Sequence, residues 1–171
     1  MPAKRILRLV SGRIKEIVGI VTSAGAANDG DIAVLDAAGK FDASLMPTGF
    51  GQNTVTGIAT EALAVNDLVN IFNNAGAVGV RKADASIEGK EANGFVKATV
   101  ANAGSATVFT SGNVITGLTG LTIGARQFLT TVAGTRGETP PSAAGNVVQL
   151  IGIAASATAI VFEPEEPITV A

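Results

Sequence analysis

The sequence predicts an all-β protein, a compact antiparallel β-barrel or sandwich preceded by an extended N-terminal arm and connector. From Thr54 onward short apolar runs recur between Gly, Asn and Asp turns, the spacing of an antiparallel sandwich or barrel. Hydrophobic residues make up 47% of the 171 residues but aromatics only 4%, so the apolar mass is Ala, Val, Ile and Leu. Such a composition suits short strands around a thin, finely packed core. Helical periodicity is nearly absent: a single weak stretch, Asp84-Ala85-Ser86-Ile87-Glu88-Gly89, reads as a short helix.

The first 21 residues form a basic apolar arm or hairpin. Arg5-Ile6-Leu7-Arg8-Leu9-Val10 and Arg13-Ile14-Lys15-Glu16-Ile17-Val18 flank the pair Ser11-Gly12. Apolar residues at 6, 9, 10, 14, 17, 18 and 21 also fit one face of a helix, but Gly12 in mid-run and the β-branched content favour two strands. Either form leaves an apolar surface too short to bury itself, so it packs on its own body or on a partner. Residues 22–53 read as an extended Gly/Ala-rich connector, punctuated by turns at Asn28-Asp29-Gly30-Asp31, Ala38-Gly39-Lys40 and Met46-Pro47-Thr48-Gly49. A connector of this length usually serves a function or lies across another molecule.

Residues 54–163 carry the β-domain. Its strands are expected at Leu68-Val69-Asn70-Ile71-Phe72, at 94–100, at Ala106-Thr107-Val108-Phe109-Thr110, at Gln127-Phe128-Leu129-Thr130, at 147–154 and at Ala159-Ile160-Val161-Phe162. Residues 164–171 form an acidic Pro-rich tail, in which Pro164 and Pro167 stiffen the backbone and remove two donors.

The residue types that are missing narrow the function. Without His and Cys the chain lacks the commonest general base near neutral pH, the thiolate nucleophile and nearly all ligand sets for zinc, copper, haem or iron–sulfur centres. Asp and Glu remain, but a glycosidase-type site needs two carboxyl groups about 5–9.5 Å apart, and nothing in the sequence brings two together. We therefore expect no enzyme, no cofactor and no metal site. Gly124-Ala125-Arg126 and Gly134-Thr135-Arg136-Gly137 have neither P-loop nor dinucleotide spacing and read as turns. Glu163-Pro164-Glu165-Glu166-Pro167 reads as a solvated acidic terminus, and Asn28-Asp29-Gly30-Asp31 lacks the pattern of a calcium loop.

Charge is distributed unevenly along the chain. Lys4, Arg5, Arg8, Arg13 and Lys15 stand in the first 15 residues with no acid, so the rest holds 7 of the 12 bases against all 14 acids. A basic arm thus precedes an acidic body, suited to docking on an acidic protein surface or to solubilising an apolar terminus. Nucleic-acid binding is not expected, because the body is acidic and its seven Phe are scattered. No run reaches the ~20 apolar residues of a membrane span. Arg8, Arg13 and Lys15 also interrupt the ~7–15 apolar residues that a signal peptide needs, so no membrane association is expected.

An ordered series of short motifs carries a resemblance. It runs from Gly57-Ile58-Ala59 through Leu68-Val69-Asn70-Ile71, Val80-Arg81-Lys82-Ala83-Asp84-Ala85 and Ala92-Asn93-Gly94-Phe95-Val96. It continues with Gly117-Leu118-Thr119-Gly120-Leu121-Thr122-Ile123-Gly124-Ala125, Gln127-Phe128-Leu129, Thr139-Pro140-Pro141 and the run from Gly145 to Ala154. By these motifs residues 57–163 resemble the β-domain shared by bacteriophage capsid decoration (cement), head-fibre and tail-fibre proteins. Val34-Leu35-Asp36-Ala37-Ala38-Gly39-Lys40-Phe41-Asp42-Ala43-Ser44-Leu45-Met46-Pro47 is similar to a linker of phage fibre and baseplate-associated proteins, where it joins an attachment region to a trimeric β-module. The sequence ends at Ala171, and no separate shaft or large tip is expected.

What the resemblance implies is a homotrimeric structural virion protein on the outer surface of the capsid. Its partner would be the major capsid protein, bound where shell subunits meet; a short tail-fibre, fibre-base or baseplate-associated module is the alternative. On this reading Arg5, Arg8, Arg13 and Lys15 face shell carboxylates, while Ile6, Leu7, Leu9, Ile14 and Ile17 supply most of the adhesion. Each exposed ion pair contributes only about 0–1 kcal/mol. The competing reading makes the same segment an integral strand pair of the body.

Overall fold

The computed structural model describes residues 5–46 and 52–171, which divide at Gln52 into two compact units. Strand accounts for 41% of the described residues and helix for 4%, so the protein is all-β. Lys4 and most of the turn expected at 46–49 lie outside the described residues.

In the N-terminal unit, β1 (Arg5–Val10) and β2 (Arg13–Val18) pair antiparallel in unbroken register from Arg5↔Val18 to Val10↔Arg13. Ser11 (φ 51°) and Gly12 (φ 77°) both take the left-handed conformation, as a two-residue turn matched to the twist of its strands requires. The segment that follows is not extended throughout. Ile20 forms a parallel bridge with Ala33, its N–H donating to the Ile32 carbonyl (2.9 Å) and its carbonyl accepting from Val34 (2.9 Å). Single 3-10 turns occupy Gly25–Asn28 and Ala43–Leu45. Local side chains hold these bends: Asp36 accepts from the N–H groups of Ala38 and Lys40, and Asp42 from that of Ser44. Periodicity is weak here because Asx-type turns, and not an apolar face, organise the chain.

In the C-terminal unit, β3 (Thr54–Ala59), β4 (Leu68–Asn74), β5 (Ala77–Lys82), β6 (Gly94–Val96) and β7 (Ser105–Phe109) close into a barrel of order β3-β5-β4-β6-β7. One seam departs from the antiparallel expectation: β3 and β5 run parallel, with Ile58 opposite Gly79 and Ala59 opposite Val80. The chain reverses direction into β4 and again through the β4–β5 hairpin, so β5 returns along the direction of β3. Since β3 pairs with β5 and not with β4, parallel pairing follows.

Alternation along the barrel strands feeds two cores. Val69, Val80, Val96, Ala106 and Val108 join Ala59 and Leu63 in one cluster, while Leu68 and Phe95, each one position away on its strand, join the other. Strands covered on both sides read as continuous apolar runs, and β6 is accordingly buried at all three positions. The first cluster contains only Ala, Val and Leu, which explains why a barrel of five short strands closes without aromatics.

The second cluster lies between the barrel and a five-stranded antiparallel sheet. The sheet comprises β8 (Asn113–Ile115), β9 (Arg126–Leu129), β10 (Arg136–Gly137), β12 (Leu150–Ser156) and β13 (Ala159–Phe162), in the order β10-β9-β12-β13-β8. Phe95 is its centre, with the Phe109 and Phe162 rings 5.7 and 5.5 Å away. Ile115, Leu129, Ile151 and Ile160 belong to the same cluster.

Three expectations are corrected within this unit. Residues 84–89 form turns and no helix, because the Asp84 carboxylate accepts the Ser86 N–H and Ala85 is tied by its backbone to Thr130 and Val147. The run 147–154 divides into β11 (Val147–Val148) and β12. At the break, buried Gln149 uses its amide as a strand would, accepting from the Ala92 N–H (2.8 Å) and donating to the Ala92 carbonyl (3.1 Å). The C-terminal segment does not leave the body: β14 (Ile168–Thr169) pairs with β11, and the Glu163 and Glu165 N–H groups bond the Ile151 and Leu150 carbonyls. The side chains of Glu163, Glu165 and Glu166 are nevertheless exposed, as a solvated acidic segment requires.

Candidate functional site

The nine residues expected to make the contact all lie on one hairpin, but the register divides them between its faces. Opposite residues of an antiparallel pair project to the same side and successive residues to opposite sides. One face therefore carries Ile6, Arg8, Arg13, Lys15 and Ile17 with Val10. The other carries Arg5, Leu7, Leu9 and Ile14 with Glu16 and Val18.

The first face is basic and partly covered. Ile6, Val10 and Ile17 are half-buried there. Arg8 and Lys15 stand directly opposite each other, an arrangement that costs energy in a sheet unless one charge is drawn away. Arg8 is drawn away, donating from its guanidinium to the Gly30 carbonyl at 2.6 Å. Arg13 and Lys15 are exposed and have no partner among the described residues.

The second face is apolar and uncovered. Leu7 is 73% exposed, Leu9 68%, Ile14 74% and Val18 56%, with Leu9 directly opposite Ile14. At its edge the Arg5 guanidinium pairs with the Glu16 carboxylate at 2.5 Å. This pair is solvent-exposed and neutralises one of the four cations expected to meet a partner. Covering the four apolar side chains would contribute roughly 1–2 kcal/mol each, more than an exposed ion pair supplies. Among the described residues neither strand pairs with a third, so both outer edges present backbone groups to any chain that adds a strand.

The unit that carries this hairpin has little interior. Among its described residues only Gly19 is buried, and both apolar clusters belong wholly to the C-terminal unit. A Cβ on Gly19 would stand 2.3 Å from Val34 Cγ1, so glycine is what lets the chain leave the hairpin and pass close to that side chain. Leu35, Phe41 and Met46 add further exposed apolar surface along the connector.

Val18 and Glu16 share the apolar face with Leu7, Leu9 and Ile14 and were missed in the sequence. The two-residue turn at Ser11-Gly12 fixes the register once the hairpin is accepted, and that register pairs Arg5 with Val18 and Leu7 with Glu16. The coverage of the basic face depends on contacts between residues far apart in sequence and left no such signal.

Elsewhere the described residues contain no cluster of three or more His, Cys, Asp or Glu able to hold a metal ion, and no helix long and apolar enough to cross a membrane. Comparison of the chain with protein-family models, curated proteins and solved structures finds no match.

Proposed function

We propose that this chain is a structural, non-enzymatic protein of a bacteriophage particle that decorates and cements the assembled capsid. It would lie on the outer surface of the head as a homotrimer, with the major capsid protein as its partner at junctions between shell subunits. The observation that carries the reading is the uncovered apolar face of Leu7, Leu9, Ile14 and Val18, presented by a unit without a buried apolar side chain among its described residues. A surface of this kind gains most of its stability from what it docks on.

On this reading the hairpin supplies adhesion through its apolar face, with strand addition at an open edge as a second source. Arg13 and Lys15 steer approach to an acidic shell more than they hold it. A protein that binds only the assembled shell stabilises that state by mass action, without chemistry of its own. The resemblance of residues 57–163 to phage decoration and fibre domains points the same way.

The test is co-sedimentation of the full chain with purified heads, beside a variant lacking residues 1–21 and the double variant Leu9→Asp, Ile14→Asp. The expected result is that both variants keep the thermal transition of the C-terminal unit and lose head binding by at least about tenfold, roughly 1.4 kcal/mol. Undiminished binding of either variant would refute the assignment of the hairpin. Loss of that transition on deletion would instead make the hairpin part of the body.

A further inference from the structure

We propose that the cleft between residues 65–67, residues 117–119 and β10 binds a small monocarboxylate carrying hydroxyl donors, anchored by the Arg136 guanidinium. The cleft lies wholly in the C-terminal unit and does not depend on what the hairpin docks against.

Its volume is about 420 Å³, within the range that takes one small polar ligand. Val65, Asn66 and Asp67 line one side, Leu118 and Thr119 another, and Thr135 and Arg136 a third. Arg136 is half-buried, and its Nε–H is shut off from water with no hydrogen-bond partner. Among the described residues no carboxylate forms an ion pair with it. Burial lowers its pKa, but a guanidinium stays charged at any physiological pH. A partly desolvated cation is costly to maintain, and an anion in the cleft beside the guanidinium would offset the charge part of that cost, though not the missing bond of the enclosed Nε–H.

The charges around the cleft indicate which anion. Asp67 is already matched: its Oδ2 lies 3.2 Å from Lys82 Nζ and accepts the Ala64 N–H at 2.8 Å. The lining and its immediate partner therefore carry one uncompensated positive charge, which a monoanion balances. A phosphate dianion would bring its second charge toward the Asp67 carboxylate. The planar fork of Arg136 matches a planar carboxylate. No hydrogen bond among the described residues reaches Asp67 Oδ1, which leaves it to accept from donors at the far end of the ligand.

The walls are built rather than loose. Gly134 (φ 78°) is fixed between the Ala83 carbonyl (2.7 Å) and the Leu68 N–H (2.9 Å), and a Cβ there would stand 3.0 Å from Asp67 Cγ and Oδ1. Asn66 holds a left-handed φ of 67° while its side chain donates to the Thr116 carbonyl at 2.8 Å. A cleft ordered in advance loses little entropy when it is filled.

The experiment is an amide NMR titration of the full chain with sodium D-glucuronate and with sodium D-glycerate, which separate acidic sugars from short hydroxy acids. D-Glucose and glucose-6-phosphate serve as neutral and dianionic controls. Saturable shifts at Thr119, Thr135 and Arg136 are expected with D-glucuronate or D-glycerate, at least about tenfold weaker with both controls, and lost in Arg136→Gln. Thr119→Phe narrows the exposed mouth, leaves the interior untouched and is expected to abolish the shifts as well. The absence of saturation with both carboxylates would overturn the assignment, as would equal binding of glucose or equal binding by either variant.

Discussion

Single residues decide how closely the C-terminal unit packs. Gly152 (φ 146°) lies where a Cβ would come within 1.9 Å of the Val161 carbonyl oxygen, a backbone atom that cannot move aside. Gly152→Ala is expected to destabilise the protein by about 3 kcal/mol, the upper end for overpacking, and to lower its melting temperature by roughly 10 °C. Phe162→Ala removes a fully buried ring that packs edge-on against Phe95 and should cost about 3–5 kcal/mol, measurable by urea titration. Glu138 accepts the Thr122 N–H at 2.9 Å, and this bond holds its carboxyl below the ordinary 4.5. A depressed carboxyl contributes stability that is complete above its unfolded value and lost as pH falls through its folded one. Melting followed below pH 4.5 should therefore show a decline that Glu138→Gln lacks in part; identical profiles would assign the bond no role.

At the scale of elements, alternation and turn chemistry were legible wherever they were local. Ser11-Gly12 signalled the hairpin, and short apolar runs located β4, β7, β9 and β13 to within two residues. Non-local features were not legible. The parallel β3–β5 seam follows from barrel closure, the break at Gln149 from its bonds to Ala92, and the pairing of β14 from partners 22 and 20 positions earlier in Val147↔Thr169 and Val148↔Ile168. Residues 84–89 misled because helical propensity was outweighed by the Asp84 turn and the tertiary bonds of Ala85. For the site, the sequence located the hairpin and its apolar residues but not which of them share a face, since a face is a property of register. This gives a prediction that sequence alone did not separate: Leu9→Asp should reduce head binding much more than Ile6→Asp reduces it by loss of contact, because Ile6 is half-buried on the opposite face. Equal loss, with both variants still folded by circular dichroism, would mean that the partner embraces both faces.

For the whole molecule, the two units differ in what holds them together. Both apolar clusters, with the aromatic contacts around Phe95, lie in the C-terminal unit, whereas side-chain-capped turns and one bridge organise the segment after the hairpin. The C-terminal unit has the burial expected of an independently stable domain, and the N-terminal unit has the exposed surface expected of an attachment device. That division is the physical basis for reading the protein as a part of a particle. The most direct test is the copy number and position of the protein in purified particles, by gel densitometry against the major shell protein and by antibody labelling in electron micrographs. The account predicts abundance comparable to the shell protein, with label spread over the head. Few copies, with label confined to the tail or to one vertex, would contradict it and place the chain at the base of a fibre.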